Sequence, residues 1–294
     1  MTLDDETAGA ADQAFALLQQ LIPQHALSRL MHRVARSRRP LVRNALLRTV
    51  LNAYPQIDLN EAAQPNPYAY ESFNAFFTRA LRPGVRPIVE AADTAACPVD
   101  GTVSQLGRIE AGTLLQAKGM RYTAAALLAD EGAAARYAGG SFACLYLAPY
   151  NYHRIHMPLA GRLTATRHVP GDLFSVNAAT ARTVANLFAR NERLVCEFDT
   201  ALGPLALVLV GALFVGSIET VYTGEVNPPS ARRGAVRTLD AGLGRDFARG
   251  EELGRFNMGS TVIALFGRPA TFTPSLGPRA TVRLGQALAR IDAA

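Results

Sequence analysis

A serine that follows a glycine can cut its own chain. In Gly259-Ser260-Thr261 the Ser260 hydroxyl can attack the Gly259 carbonyl and turn the peptide bond into an ester. Glycine lacks a Cβ, so it tolerates a strained backbone and leaves its carbonyl open. The attack needs a base for the hydroxyl proton and donors for the developing oxyanion. Elimination from the ester leaves a dehydroalanine, which hydrolyses to a pyruvoyl group and ammonia. Taken alone, the tripeptide reads more simply as a turn serine opening the apolar strand that follows.

His153 and His156, two of the five histidines, lie in Tyr152-His153-Arg154-Ile155-His156-Met157-Pro158. Imidazole titrates near neutrality and suits acid–base work. A histidine that deprotonates a serine is commonly oriented by a carboxylate. Asp100, between Val99 and Gly101, fits a carboxylate held at a strand or turn edge; on its own it is an Asp-Gly turn. A zinc hydrolase built on His153 and His156 is a second reading. It needs a third and usually a fourth ligand, and neither His nor Cys follows before His168.

Elements must hold these groups. Apolar runs at Gly101 to Leu106, Thr113 to Ala117, Phe142 to Leu147, Leu194 to Phe198, Leu205 to Val215 and Thr261 to Phe266 predict short strands separated by Gly, Pro and Asp. A helix is expected over Ala178 to Ala189. The fold class is therefore α+β: a mainly β catalytic domain with inserted helices, preceded by amphipathic N-terminal helices. The apolar run Leu205 to Ile218 holds two glycines and falls short of the roughly 20 residues a membrane span needs.

The 294 residues carry a net charge of +6, and all but one of the basic residues are arginine. Seven arginines and no acidic residue lie between Asp12 and Asp58. Leu27, Leu30, Met31 and Val34 recur there at helical spacing, with Pro23 and Pro40 as breaks. Such basic amphipathic helices suit an anionic membrane surface. No nucleotide motif or aromatic-basic interleaving points to nucleic acid. Cys97, Cys144 and Cys196 are scattered and read as small buried hydrophobes in a reducing compartment. The loop 227–245 is basic and turn-rich.

Several ordered motifs together resemble the phosphatidylserine decarboxylase family. They are ESFNAFFTRALRPGVRPI (71–88), PVDGTVS (98–104), YNYHRIHMP (150–158), PGDLFSVN (170–177), NLFARNER (186–193), VGSIET (215–220) and GRFNMGSTVIALF (254–266). The basic helices before them resemble the family's membrane-associated amino terminus. Met258 stands where leucine is usual, and Tyr150-Asn151 where many members have Arg-Asp.

The resemblance implies a self-cleavage triad of Asp100, His156 and Ser260, with the cut between Gly259 and Ser260. It implies a β chain of residues 1–259 and an α chain of residues 260–294, held as a heterodimer that could assemble into a homo-oligomer. Ser260 would become a covalent pyruvoyl cofactor, with no metal. That group would form a Schiff base with phosphatidylserine and release CO₂, with His153 in the decarboxylation step. The implied layout is a membrane-associating region, 1–80, and a catalytic domain, 81–294. The implied location is peripheral, on the cytoplasmic face of the cell membrane. A pyruvoyl decarboxylase for a soluble amino acid, or a β-rich lipid- or carrier-binding module that never cleaves, are the other readings.

Overall fold

The computed structural model describes residues 9–116, 119–214, 217–226, 234–258 and 260–292. Three helices open the chain: α1 (Ala10–Leu21), α2 (Gln24–Ala35) and α3 (Pro40–Ala53). Pro23 separates the first two. Pro40 is the first residue of the third, where its missing N–H costs nothing. A short helix, α4 (Phe73–Phe77), follows, capped by Ser72 Oγ accepting the Ala75 N–H at 3.1 Å. None of the described helices is long and apolar enough to cross a membrane.

The first two helices dock through polar side chains. Gln19 Oε1 accepts the Ser175 N–H and Gln24 Oε1 the Leu173 N–H, each at 2.7 Å. Ser28 Oγ accepts the Phe214 N–H, and Asp12 pairs with Arg182 at 2.9 Å. Gln19, Gln24 and Ser28 are buried, while Leu17, Leu18, Leu21 and Leu30 stay exposed, Leu21 at 83%. The leucines of α1 therefore face outward, the reverse of an ordinary surface helix, whereas on α2 Leu30 alone of the large apolar residues is exposed and Ala35 is buried.

The remainder is mainly β. A nine-stranded antiparallel sheet is built on β1 (Gly101–Arg108), β2 (Ser141–Leu147), β4 (Gly161–Val169), β5 (Arg193–Thr200), β6 (Gly203–Val210) and β9 (Ser260–Phe266). Its main order is β4-β5-β6-β9-β2-β1. A smaller sheet holds β3 (Arg154–His156), β7 (Ile218–Thr220) and β8 (Glu252–Phe256). Four of the six runs that read as strands lie on these elements; Thr113–Leu115 forms a separate pair with Arg121–Thr123, and the Leu205 to Val215 run leaves the strand after Val210, with residues 117 and 215 outside the described residues.

Side chains alternate across the large sheet, as period-two geometry requires. Val262, Ala264 and Phe266 of β9 face one apolar cluster with Ile155, Leu253 and Phe256 of the small sheet. Ile263 and Leu265 face a second cluster with Leu127, Leu187 and Phe188. Covering both faces explains why β9 and β6 read as continuous apolar runs. Cys97, Cys144 and Cys196 are free and buried within these layers; burial pushes each thiol up to about 12. A third cluster joins Ala35, Leu47, Phe73, Phe76 and Phe77, with Tyr150 and Met258 packed against it.

The expected helix over 178–189 is split into Ala178–Ala181 and Leu187–Arg190. Asn186 between them is left-handed, at φ 55°. Residues 227–233 of the basic loop lie outside the described residues. Arg237–Thr238 and Asp246–Phe247 pair with β4.

Candidate active site

The chain crosses between the two sheets twice at one place. It leaves β2 at Leu147 and enters β3 at Arg154; it leaves β8 at Phe256 and enters β9 at Ser260. Ser260 pairs with Leu147, and the Phe256 N–H donates to the His153 carbonyl at 3.0 Å. The two crossings therefore lie side by side. Asp100 joins them from β1: Gly101 approaches β2 so closely that a Cβ there would sit 2.4 Å from the Tyr146 carbonyl oxygen. The His156 N–H donates to the Pro98 carbonyl at 2.9 Å. Three segments far apart in sequence thus bring Asp100, His153, His156 and Ser260 to one sheet junction.

The Ser260 hydroxyl is fully buried and has no hydrogen-bond partner among the described residues; the neighbouring Thr261 hydroxyl is in the same condition. Unpaired buried hydroxyls are uncommon and costly. Met258 lies in the left-handed half of backbone space, at φ 119°. Such a conformation costs about 1–3 kcal/mol for a residue with a side chain. Asn257, on the Met258 N-terminal side, is pinned by three bonds. Its N–H donates to the Ser217 carbonyl, its Nδ2 to Ser217 Oγ at 2.8 Å, and its Oδ1 accepts from Asn74 Nδ2 at 2.9 Å. Gly259 lies outside the described residues.

His153 is fully buried against the Phe77 ring, centroid to centroid 4.0 Å. Its Nδ1 lies 2.8 Å from the Asn151 carbonyl. A carbonyl only accepts, so Nδ1 carries the proton and Nε2 presents a lone pair. That Nε2 is buried without a partner. Burial drives the pKa of His153 down from 6.5 to about 3, so the ring is neutral at pH 7. His156 is oriented in the same way by the Gly250 carbonyl at 2.7 Å, and its Nε2 accepts the Tyr152 O–H at 3.0 Å. Burial lowers its pKa as well, opposed by the charges of Glu252 and Asp100.

Asp100 is buried and held by Arg86 through Nε at 3.0 Å and Nη2 at 2.7 Å, with the Leu284 N–H at 2.8 Å. Arg86 also grips Glu61, at 2.6 and 3.0 Å, and its hydrogen bond holds the Glu61 carboxyl below the usual range. Asp100 and His156 thus sit in one neighbourhood, but the bonds that orient each run to other groups. Arg86, Tyr152 and Asn257 are the partners that sequence reasoning did not single out. Each acts through a contact distant in the chain or through one ring atom, and only the ordered motifs around them hinted at a role. For the zinc reading, both Nδ1 atoms are committed to carbonyls. Among the described residues no group of three His, Cys, Asp or Glu is placed to hold a metal.

The phosphatidylserine decarboxylase family model matches residues 73–290, and a second model, described as PSD, matches residues 14–55. The phosphatidylserine decarboxylase proenzyme of Methylococcus capsulatus is 52% identical over 277 residues, covering 93% of this chain and 95% of its own length. The proenzymes of the same name from Shewanella sp. MR-4 and Shewanella baltica OS155 are each 50% identical over 287 residues, covering 95% of this chain and 97% of theirs. This agreement runs through the sheet junction and the helices alike, and the chain belongs to the phosphatidylserine decarboxylase family.

Proposed function

We propose that this chain is a precursor that cuts itself between Gly259 and Ser260 and then decarboxylates phosphatidylserine to phosphatidylethanolamine. The observation that carries the reading is the buried, partnerless Ser260 hydroxyl at the start of a paired strand, just beyond the strained Met258. The Asn257 bonds on one side and the Ser260–Leu147 pairing on the other keep that strain from relaxing.

Processing is chemistry of the chain's own atoms. Ser260 Oγ bonds to the Gly259 carbonyl carbon and the C–N bond breaks, leaving an ester and a free amine. Loss of the Ser260 α proton and of the Gly259 carboxylate from Cβ gives dehydroalanine. Water then enters and ammonia leaves, which turns residue 260 into a pyruvoyl group. In this reading His156 is the base, and the Arg86-bound Asp100 supplies negative charge beside it.

The surroundings fit a pyruvoyl group: once the Ser260 oxygen has left with Gly259, the orphaned Thr261 hydroxyl and the bare His153 Nε2 remain, both buried from water. That group would supply an electron sink for the pair left on the substrate Cα when CO₂ departs. His153 is suited to the proton traffic. Its Nε2 can take a proton from the substrate ammonium and return it to Cα, and burial keeps it from filling with a proton from bulk water. A dry site also favours loss of a charged carboxylate as neutral CO₂.

Intact-mass measurement tests this reading. The expected result is two chains, residues 1–259 and 260–294, the second with a blocked, borohydride-reducible amino terminus. A single chain in a preparation that decarboxylates phosphatidylserine would sink it.

The outward leucines of α1 and the arginines of α2 and α3 support peripheral attachment to the cytoplasmic face of the cell membrane. Replacing Leu17, Leu18 and Leu21 together by Gln should weaken binding to phosphatidylglycerol vesicles by at least tenfold in co-sedimentation. The estimate is conservative for three leucines at roughly 1.5–3 kcal/mol each on full burial. Chain cutting should be unaffected, because the polar anchors of the helix remain. Unchanged sedimentation would place the membrane contact elsewhere.

A further inference from the structure

A cleft of about 590 Å³ opens beside the sheet junction and ends at Asn257, three residues before Ser260. Five arginines line it: Arg36, Arg38, Arg79, Arg154 and Arg255. Four are paired with carboxylates. Arg36 meets Glu225 at 3.0 Å, Arg38 meets Glu71 at 2.8 Å, Arg154 meets Glu252 at 2.8 Å and Arg255 meets Glu219 at 3.4 Å. Arg79 has no carboxylate within ion-pair distance among the described residues, although it is only 5% exposed.

Burying an unpaired cation is costly, and burial lowers the pKa of this guanidinium. Its Nε has no hydrogen-bond partner, and its Nη2 lies 3.5 Å from the Tyr150 carbonyl. The charge is also placed with purpose. Phe77, two residues before Arg79, packs on His153, and the field of Arg79 reaches that ring. The guanidinium lies over the Phe76 ring at 5.2 Å and senses the charges of Asp100 and Glu61 only from beyond ion-pair distance, so no described anion contacts it directly.

The substrate of the proposed reaction carries two anionic groups, a carboxylate and a phosphodiester. The carboxylate must lose its charge as CO₂. A guanidinium bound to it would stabilise the ground state more than the transition state and slow the step. The phosphodiester keeps its charge from substrate to product. We propose that Arg79 binds the phosphodiester of the lipid head group and so sets the serine moiety beside residue 260. This rests on the decarboxylase reading above, and a free phosphate monoester is the competing source of the same chemistry.

The test uses the self-processed enzyme and its Arg79→Gln and Arg79→Lys variants, with chain cutting checked by intact mass. On phosphatidylserine in mixed micelles, Arg79→Gln should raise the surface KM by about ten- to hundredfold, the worth of a charged hydrogen bond, with a smaller change in kcat. Arg79→Lys should fall between, because it keeps the charge and loses the planar fork. Calorimetric titration with glycerophosphoethanolamine should show binding to the wild type, weaker binding to Arg79→Lys and none to Arg79→Gln; ethanolamine should not bind. An unchanged KM in Arg79→Gln overturns the proposal, as does inorganic phosphate binding the wild type more tightly than the diester. If Arg79→Gln does not fold, Arg79→Lys and the wild-type titration decide: failure of the wild type to bind the diester overturns it. A wild type that cuts but releases no CO₂ from phosphatidylserine would instead sink the decarboxylase reading.

Discussion

Ser260→Ala protein should run as one uncut chain of 294 residues and release no CO₂ from phosphatidylserine. The substitution removes a single oxygen from a fully buried position that is paired with Leu147, at the start of a strand that is paired on both sides from Thr261 onward, so the fold should persist. It even removes an unsatisfied buried polar atom, and thermal stability should not fall. What disappears is the only atom at this position that can attack the upstream carbonyl. Without that attack no ketone forms, and the rate should drop to the uncatalysed level, a loss of at least about a millionfold. Intact mass and a CO₂-release assay on the same preparation check both halves. A cut chain, or an uncut chain with wild-type turnover, would mean that another residue carries the chemistry.

The β core was legible because its central strands are apolar on both faces. Thr261 to Phe266 and Phe142 to Leu147 sit in the middle of the sheet, and their bounds extend by one residue at the start. β4 was not legible. It carries Arg162, Thr164, Arg167 and His168, and only tertiary partners make that composition a strand: Arg167 is buried against Glu197, and His168 Nε2 pairs with Glu192 at 2.8 Å. The helix over 178–189 failed for a local reason. The hydroxyls of Thr180 and Thr183 bond nearby carbonyls, and Asn186 turns left-handed, so the alanine-rich stretch breaks in two.

The candidate site divides along the same line. Ser260, His153, His156 and Asp100 were legible as candidates because their residue types suggest chemistry within recognisable motifs. Tyr152, Asn257 and Arg79 were passed over because an ordinary tyrosine, asparagine or arginine acquires meaning only from what it faces. Asn257 is the clearest example: its partners, Asn74 and Ser217, lie 183 and 40 residues away. The helices were read as amphipathic and basic, but their docking through buried glutamines and a serine could not be read from periodicity.

Arg86→Met should be the most destabilising single change near the site. Arg86 bridges two carboxylates, and its side chain and that of Asp100 are 7% and 10% exposed. Removing the cation leaves the Asp100 charge buried with only the Leu284 N–H, and breaking such a pair costs about 3–5 kcal/mol. At about 2–4 °C per kcal/mol for a chain of this size, the melting temperature should fall by roughly 10 °C. The pH dependence has a definite sign. Arg86 depresses the Glu61 pKa, so that contribution is present above the unfolded value of 4.5 and is lost as pH falls below it. The stability gap between wild type and variant should therefore be full at pH 7 and narrow below pH 4.5. Arg86→Met/Asp100→Leu separates fold from chemistry. Replacing both charges by apolar groups should recover much of the lost stability, since a buried ion pair is often no better than well-packed hydrophobes. If Asp100 supports the base in chain cutting, the double variant will be stable and still uncut. A stable double variant that cuts at the wild-type rate would reduce the Asp100–Arg86 pair to a scaffold.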